Sequence, residues 1–231
     1  MNQAITDQIL KARINIYYDL QPADHERAPL LIALHGYGAF KEQMMREAQL
    51  MAPQGFVIAS FQGFHQHITE PRQAGGPLRY GFGWLTSYRS DESVAVHHQA
   101  MLDLIDKLAA DGVADPSRVF LLGFSQSCAL NYRFAFTHPE RLRGVVGICG
   151  GLPGDWETSS VYRQASIDVF HLTGTEDEFY PPSRVADYEK QLGTRARQVA
   201  SKSYRAAHEI VPEMRTDVKQ WLAQHANPHP S

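Results

Sequence analysis

The sequence has little cysteine, no long apolar run and no excess of charge of one sign. Its 231 residues include two cysteines, 22 Lys and Arg, and 25 Asp and Glu, which gives a formal net charge of −3 at pH 7. We expect Cys128 and Cys149 to be reduced and buried, because both lie in apolar segments and two cysteines make no disulfide framework. No basic cluster favours nucleic acid or an anionic membrane surface, and no stretch is long enough to cross a bilayer. The sequence therefore predicts neither nucleic acid as a partner nor a membrane span.

Targeting and metal-binding signals are also missing. The N-terminal segment MNQAITDQILKARINIYYDL has no uninterrupted apolar core of the signal-peptide kind, so we expect a cytoplasmic protein. Its assembly is left open, with a homodimer as one option. The close histidine sets at 65–67 and 97–98 have no convincing third metal ligand nearby, and we expect surface or loop side chains there.

Apolar segments alternate with helical patterns along the chain. Strands are predicted at 12–20, 29–36, 56–61, 118–122, 142–150, 167–174 and 196–204, and helices at 40–55, 91–110, 125–139, 181–194 and 209–226. This alternation favours an α/β fold with a mostly parallel central sheet and helices on both faces. The length fits one α/β domain or two small ones, and the unbroken pattern favours a single domain over 1–231.

Two local features of this pattern are less regular. Residues 62–90 are too rich in glycine for a buried element and too numerous for a simple connection, so a functional loop is predicted there. The helix over 91–110 has Ser90 or Asp91 as its candidate N-cap and Gly112 just beyond its end.

The segment VFLLGFSQSCAL, residues 119–130, runs from a buried strand into a helix, with Gly123, Ser125 and Ser127 at the turn. Such a turn exposes a serine hydroxyl at the sheet edge and aims helix N–H groups at developing negative charge. A serine nucleophile also needs a base, an orienting acid and oxyanion donors. A lone G-x-S-x-small match is weak, and Ser125 as an ordinary helix N-cap is an equal alternative.

An acid and a histidine follow later strands, where ligands of such sheets gather. The acid candidate is Asp177 in TGTEDEFYPP, with Glu176 and Glu178 as competitors that more readily face water, and a solvated acidic turn is the alternative. The base candidate is His208 in YRAAHEI, chosen over ten other histidines by its position after the last strand. The order Ser, Asp, His on three different strand ends strengthens all three assignments.

The remaining parts of an acyl-transfer site are an oxyanion site and a pocket. The backbone N–H groups of Gln126 and of Tyr37 in LHGYG are the candidate oxyanion donors, although a plain glycine turn would also explain Gly36 and Gly38. Apolar and aromatic residues on strand-end loops could wall a pocket or simply pack in the core: Phe64, Trp84, Leu152, Trp156, Phe179 and Tyr180. Three loop arginines, Arg72, Arg79 and Arg89, could meet a substrate carboxylate, with solvated charge as the default.

Four segments carry a family resemblance. LHGYG, GFSQS, TGTEDEFYP and AHEI resemble, in this order, the oxyanion, elbow, acid and histidine motifs of the carboxylesterase/phospholipase group of the α/β-hydrolase superfamily, which includes acyl-protein thioesterases. The resemblance covers nearly the whole chain. It implies an α/β-hydrolase fold with no separate cap domain, a Ser125, His208 and Asp177 triad, and Tyr37 and Gln126 as oxyanion donors. The chain departs from the group's pattern at Ser127 and Ala207, where glycine is usual, and in a longer 64–90 loop.

The expected function is a serine carboxylic-ester hydrolase that acts through an acyl-enzyme on small or medium acyl esters, with a small-molecule ester as its partner. No metal or organic cofactor is required, because triad and oxyanion donors complete acyl transfer. A thioesterase or a lysophospholipase of the same group differs only in the leaving group. An alternative of another class is a non-catalytic ligand-binding protein of the same fold.

Overall fold

The computed structural model describes residues 6–69 and 75–226. Its strands are β1 Tyr18–Gln21, β2 Ala28–Leu34, β3 Val57–Phe61, β4 His65–Thr69, β5 Arg79–Gly83, β6 Ala114–Phe124, β7 Gly144–Ile148, β8 Asp168–Gly174 and β9 Gln198–Tyr204. Its helices are α1 Lys41–Met51, α2 Ser90–Ala110, α3 Gln126–Thr137, α4 Pro182–Val185, α5 Tyr188–Gly193 and α6 Pro212–His225, with a 3₁₀ turn at Pro139–Arg141. No helix among the described residues is both long and apolar enough to cross a membrane.

In the described part of the chain, seven strands form the main sheet in the order β1-β3-β2-β6-β7-β8-β9. Only β1 runs antiparallel to its neighbour, and every other adjacent pair is parallel. The carboxyl ends of β2, β6, β8 and β9 therefore meet at one edge of the sheet. This topology places the segments after Leu34, Phe124, Gly174 and Tyr204 close enough to build one site.

Helices cover both faces of the sheet, as the alternation predicted. Leu30, Ile32 and Leu34 of β2 face a core shared with α2 and α3, whereas Leu31 and Ala33 face a core shared with α1 and α6. A strand of this kind buries apolar side chains against the helix layers on both faces of the sheet, so its sequence is a continuous apolar run.

The 62–90 segment differs from its prediction as a loop. β4 and β5 pair as an antiparallel hairpin that forms a separate two-stranded sheet. Its glycines serve close packing: a Cβ on Gly81 would lie 2.6 Å from the carbonyl oxygen of Gly38. Glycine therefore marks where the hairpin meets the loop after β2, a contact that the glycine content alone does not identify.

Other predicted boundaries were wrong in identifiable ways. β1 begins only at Tyr18, so it overlaps the strand predicted at 12–20 at residues 18–20, because its partner strand β3 ends at Phe61. The helix predicted at 181–194 is divided into α4 and α5. The residue before α2 is Arg89, in a left-handed conformation with φ 51°, and neither Ser90 nor Asp91 takes that place. Gly112 does follow the end of α2 with a positive φ of 74°.

His97 is not a surface side chain, and His98 is half-buried. His97 is buried on α2, where its ring packs against Trp84 and Phe134. His65 and His67 lie on strand β4. Both cysteines are free and buried, as expected.

A buried ion cluster stabilises the opposite end of the sheet. The Asp168 carboxylate at the start of β8 pairs with Arg143 at 3.3 Å and with Arg197, and His225 Nε2 lies 3.6 Å away. The cluster joins the start of β8 to α6 and to the residues just before β7 and β9. It lies at the amino end of β8, away from the edge that carries the candidate site.

Candidate active site

Ser125 occupies a sharp turn between β6 and α3. It is the single residue between Phe124 and Gln126, with φ 58° and ψ −118°, a backbone conformation that costs a non-glycine residue of order 1–3 kcal/mol. Strand and helix pass so closely that a Cβ on Gly123 would lie 2.8 Å from Asn131 Nδ2. The turn therefore holds the Ser125 hydroxyl at the carboxyl edge of the sheet, at the beginning of a helix.

The hydroxyl of Ser127 is accommodated within the elbow. It donates to the carbonyl oxygen of Leu34 at 2.8 Å and accepts the N–H of Phe124 at 3.0 Å. Both bonds join α3 to the strands beside it, and the side chain is fully buried. The serine that stands where the group usually has glycine is thus hydrogen-bonded, which offsets its polar burial.

His208 lies between Ser125 and Asp177. Its Nε2 is 2.9 Å from Ser125 Oγ, and its Nδ1 is 2.9 Å from Asp177 Oδ2. The rings of Phe124, Phe179 and Tyr180 surround the imidazole at centroid distances of 4.9, 4.8 and 5.9 Å. These contacts leave only 16% of the His208 side chain exposed.

Asp177 is the acid that the structure brings to His208. Its other oxygen, Oδ1, accepts the backbone N–H groups of Phe179 and Tyr180, each at 2.9 Å. Burial acts to raise the pKa of this carboxyl, but the hydrogen bonds from His208 and from the two N–H groups hold it below the usual value. Glu176 and Glu178 are exposed, and Glu176 pairs with Arg205, so neither competes for the imidazole.

This geometry assigns the histidine tautomer. Asp177 Oδ2 is an acceptor when the carboxylate is ionised, so His208 Nδ1 carries the hydrogen in that bond. Nε2 of the neutral ring is then an acceptor, facing the Ser125 hydroxyl. The arrangement can therefore take a proton from serine.

The loop after β2 lies against Ser125. A Cβ on Gly36 would be 3.2 Å from Ser125 Cβ. Buried His35 orients this loop: its Nδ1–H donates to the Gly36 carbonyl at 2.7 Å, and its Nε2 accepts the Gly63 N–H at 2.9 Å. Burial lowers the pKa of His35 to about 4, which keeps the ring neutral as these bonds require. Because a trans peptide points its C=O and N–H in opposite directions, the Tyr37 N–H points away from His35.

The second oxyanion candidate, the Gln126 N–H, belongs to the first residue of α3. Such N–H groups have no partner within their helix and carry the positive end of its dipole. Sequence reasoning identified this N–H but missed the Gln126 side chain and His35, which both bind backbone groups around the site. The sequence offers no signal for the His35 contact with Gly63 or for the Gln126 contact with Trp84, because these residues lie 28 and 42 positions apart in the chain.

The predicted pocket residues fall into three groups: those beside the His208 and Tyr180 rings, Phe64, and the two tryptophans. Phe179 and Tyr180 contact the His208 ring, and a Cβ on Gly151, beside Leu152, would lie 3.0 Å from the Tyr180 ring. Phe64 is half-buried against Trp84.

Trp84 and Trp156, which the sequence offered as pocket walls or as core residues, lie in the core. They are 1% and 3% exposed. Each indole N–H donates to a backbone carbonyl, that of His35 at 2.8 Å for Trp84 and that of Gln191 at 3.2 Å for Trp156. These bonds allow both indoles to be buried completely.

The loop arginines have different surroundings. Arg89 pairs with Asp7 at 3.0 Å, and Arg79 is exposed on β5. Arg72 lies outside the described residues.

A serine on a strand-to-helix turn, followed by an acid and a histidine after later strands of a mostly parallel sheet, defines the α/β-hydrolase class. The sequence model of the phospholipase/carboxylesterase family matches residues 17–226, and the chain belongs to this family. The described residues form no separate cap domain, as the resemblance implied.

Individual relatives agree with this assignment. NocK of Nocardia uniformis subsp. tsuyamanensis, a protein named as an esterase, is 27% identical over 163 residues, which are 69% of this chain and 43% of NocK. Acyl-protein thioesterase 1 of Eremothecium gossypii is 33% identical over 107 residues, 43% of this chain and 46% of that protein. The chain thus spans less than half the length of these two relatives. The crystal structure of the Bacillus cereus carboxylesterase superposes with a TM-score of 0.72 at 17% identity, covering 91% of this chain and 94% of that one, and shares its fold.

Proposed function

We propose that this protein is a serine carboxylic-ester hydrolase that acts through an acyl-enzyme on small or medium acyl esters. The observation that carries the proposal is the continuous hydrogen-bond chain from Ser125 through His208 to Asp177, with two links of 2.9 Å. Nucleophile, base and orienting acid are thus within reach of one another before any substrate binds.

In the first half of the reaction, Ser125 Oγ attacks the ester carbonyl carbon while its proton moves to His208 Nε2. The carbonyl oxygen becomes an oxyanion that the N–H groups of Tyr37 and Gln126 stabilise. Collapse of this intermediate breaks the bond to the alcohol oxygen, which receives the proton from His208. Asp177 stays ionised and stabilises the imidazolium that forms in between.

In the second half, water attacks the acyl-enzyme. Its proton moves to His208 Nε2, the same donors hold the second oxyanion, and the proton returns to Ser125 as the carboxylic acid leaves. All protons are thus transferred among Ser125, His208, the substrate and water, so no step requires a metal or an organic cofactor.

A thioesterase or a lysophospholipase would use the same two steps with another leaving group. The relation to acyl-protein thioesterase 1 favours testing a thioester alongside oxygen esters. The non-catalytic alternative is less well supported, because a ligand-binding protein has no need to hold Ser125 at φ 58° against a histidine. A cytoplasmic location and a homodimer stay predictions.

The test combines active-site labelling with turnover. A fluorophosphonate probe should label the parent protein and the Ser117→Ala control, in which an exposed serine at the far end of β6 is removed, but not Ser125→Ala. p-Nitrophenyl esters of increasing acyl length and a matched acyl thioester then give the substrate class. A parent that takes no label and hydrolyses none of these compounds would favour the ligand-binding alternative.

A further inference from the structure

We propose that Trp84 and the side chain of Gln126 form a brace that fixes the two oxyanion donors relative to each other. The inference rests on the proposed function and deepens it, because it makes Trp84 a positioning residue for acyl transfer. Trp84 follows β5 directly and is almost completely buried, so it has no direct access to a substrate.

The brace consists of three hydrogen bonds between segments distant in sequence. The indole Nε1–H of Trp84 donates to the His35 carbonyl at 2.8 Å, just before the Gly36–Tyr37 peptide. The backbone N–H of Trp84 donates to Gln126 Oε1 at 2.9 Å, and Gln126 Nε2–H donates to the Leu85 carbonyl at 3.2 Å. One residue therefore binds the strand end that leads to the first donor and the side chain of the residue that provides the second.

Close packing supports the same arrangement. A Cβ on Gly83 would lie 3.2 Å from Tyr37 Cδ2 and 3.3 Å from Gln126 Oε1, so the backbone of Gly83 is in contact with both donor residues. The Gly38 N–H also donates to the Phe82 carbonyl at 2.8 Å. The end of β5 is thus attached to the oxyanion loop on one side and to the start of α3 on the other.

The spacing matters because oxyanion donors act over a narrow range of distance, about 2.7–3.1 Å from the developing charge. Loss of one donor typically lowers kcat about a hundredfold to a thousandfold, and a displacement of about 1 Å costs up to about a hundredfold. A protein without the brace keeps both N–H groups but loses their fixed spacing. We therefore expect kcat to fall about tenfold to a hundredfold, with KM nearly unchanged because the ground-state carbonyl depends little on these donors.

The main experiment compares Trp84→Phe with Trp156→Phe. Trp156 is an equally suitable buried indole, with its N–H on the Gln191 carbonyl at 3.2 Å, but it has no bond to either donor segment. Both variants should lose similar thermal stability. Only Trp84→Phe should show the fall in kcat, and its inhibition constant for a trifluoromethyl ketone, which forms a tetrahedral oxyanion on serine, should rise by the same factor.

Gln126→Met supplies a second, independent perturbation. It keeps the backbone N–H of residue 126 and removes both side-chain bonds, and it decides the question if Trp84→Phe does not fold. The double variant should lose little more kcat than either single variant, because both remove the same brace. Equal falls in kcat in Trp84→Phe and Trp156→Phe, or full kcat in Gln126→Met, would overturn the brace. An active, labelled parent would still support the proposed function in that case. An inactive, unlabelled parent would instead overturn the proposed function, and the brace with it.

Discussion

The substitution Asp177→Asn tests the proposed triad most directly, because the surroundings of Asp177 determine how an asparagine would sit there. Oδ1 of Asp177 accepts two backbone N–H groups, from Phe179 and Tyr180. An asparagine must keep its oxygen in that place, since the reverse orientation would set its NH₂ group against two donors and leave buried groups unsatisfied, at a cost of about 1–3 kcal/mol each.

The asparagine NH₂ group would then face His208 Nδ1, which is 2.9 Å from Oδ2 in the parent. That nitrogen would have to accept, so the ring hydrogen would move to Nε2. With its hydrogen on Nε2, the ring would donate to Ser125 Oγ, and Nε2 could no longer accept the proton of the Ser125 hydroxyl. We expect kcat to fall by about 10³ to 10⁴, equivalent to about 4–5.5 kcal/mol in the activation free energy.

The measurement is kcat and KM for a p-nitrophenyl ester, with a thermal unfolding curve for each variant. Glu178→Gln is the matched control. It removes one negative charge from an exposed side chain next to Asp177 in sequence, and it should keep full activity. Asp177→Asn should still fold and should therefore show one cooperative thermal unfolding transition. If it keeps more than a tenth of the parent kcat, Asp177 is not the orienting acid and the tautomer argument is wrong.

Three further predictions concern stability. Ser125→Gly should unfold at a higher temperature than Ser125→Ala, because only glycine relieves the strain at φ 58°, worth about 1–3 kcal/mol; the reverse order in thermal melts would exclude that strain. Burial lowers the pKa of His35, His98 and His171 to about 4 from 6.5, so the unfolded chain binds protons first as the pH falls. The contribution of these neutral histidines to the free energy of unfolding should be complete above about pH 6.5 and should decrease as the pH falls to about 4, by up to about 1.4 kcal/mol per pH unit for each histidine. A free energy of unfolding in urea that does not change over this pH range would contradict the prediction. Asp168→Asn should lower the free energy of unfolding in urea by about 3 kcal/mol, because its arginine partners lose a buried counter-charge, and an unchanged value would refute this role.

The sheet could be predicted from the sequence because its strands are buried on both faces. β2 is a short run of apolar residues that alternately face the two helix layers. A short apolar run between helical patterns is typical of a strand buried on both faces. The β4–β5 hairpin could not be predicted in the same way. Gly81 and Gly83 are required by close contact with the β2–α1 loop and with Gln126, and contacts of this kind leave no periodic signal.

The candidate site shows a similar division. Chain order and strand ends identified Ser125, Asp177 and His208, which the structure brings into one hydrogen-bond chain, while their catalytic roles stay a proposal. The same rule could not choose between pocket and core for Trp84 and Trp156, because a tryptophan on a strand-end loop gives one pattern in either location. Its location depends on whether the indole N–H finds a buried acceptor, and here the acceptors are 49 and 35 residues away in sequence.

Ser125 combines the two interpretations that its sequence allowed. It occupies the N-cap position of α3, yet its side chain makes no capping bond and its φ lies far from the extended values of ordinary N-caps. Its hydroxyl is directed at His208 instead, which gives up about 1 kcal/mol of helix capping in addition to the backbone strain. A true cap would have satisfied an N–H at the beginning of α3, the end of the helix that attracts negative charge. A Ser125 cap would bond the N–H of the second or third residue of α3 and not that of Gln126, the first, so the Gln126 N–H stays available to the proposed reaction whichever way the hydroxyl points; the lost cap is therefore a cost of directing the hydroxyl at His208.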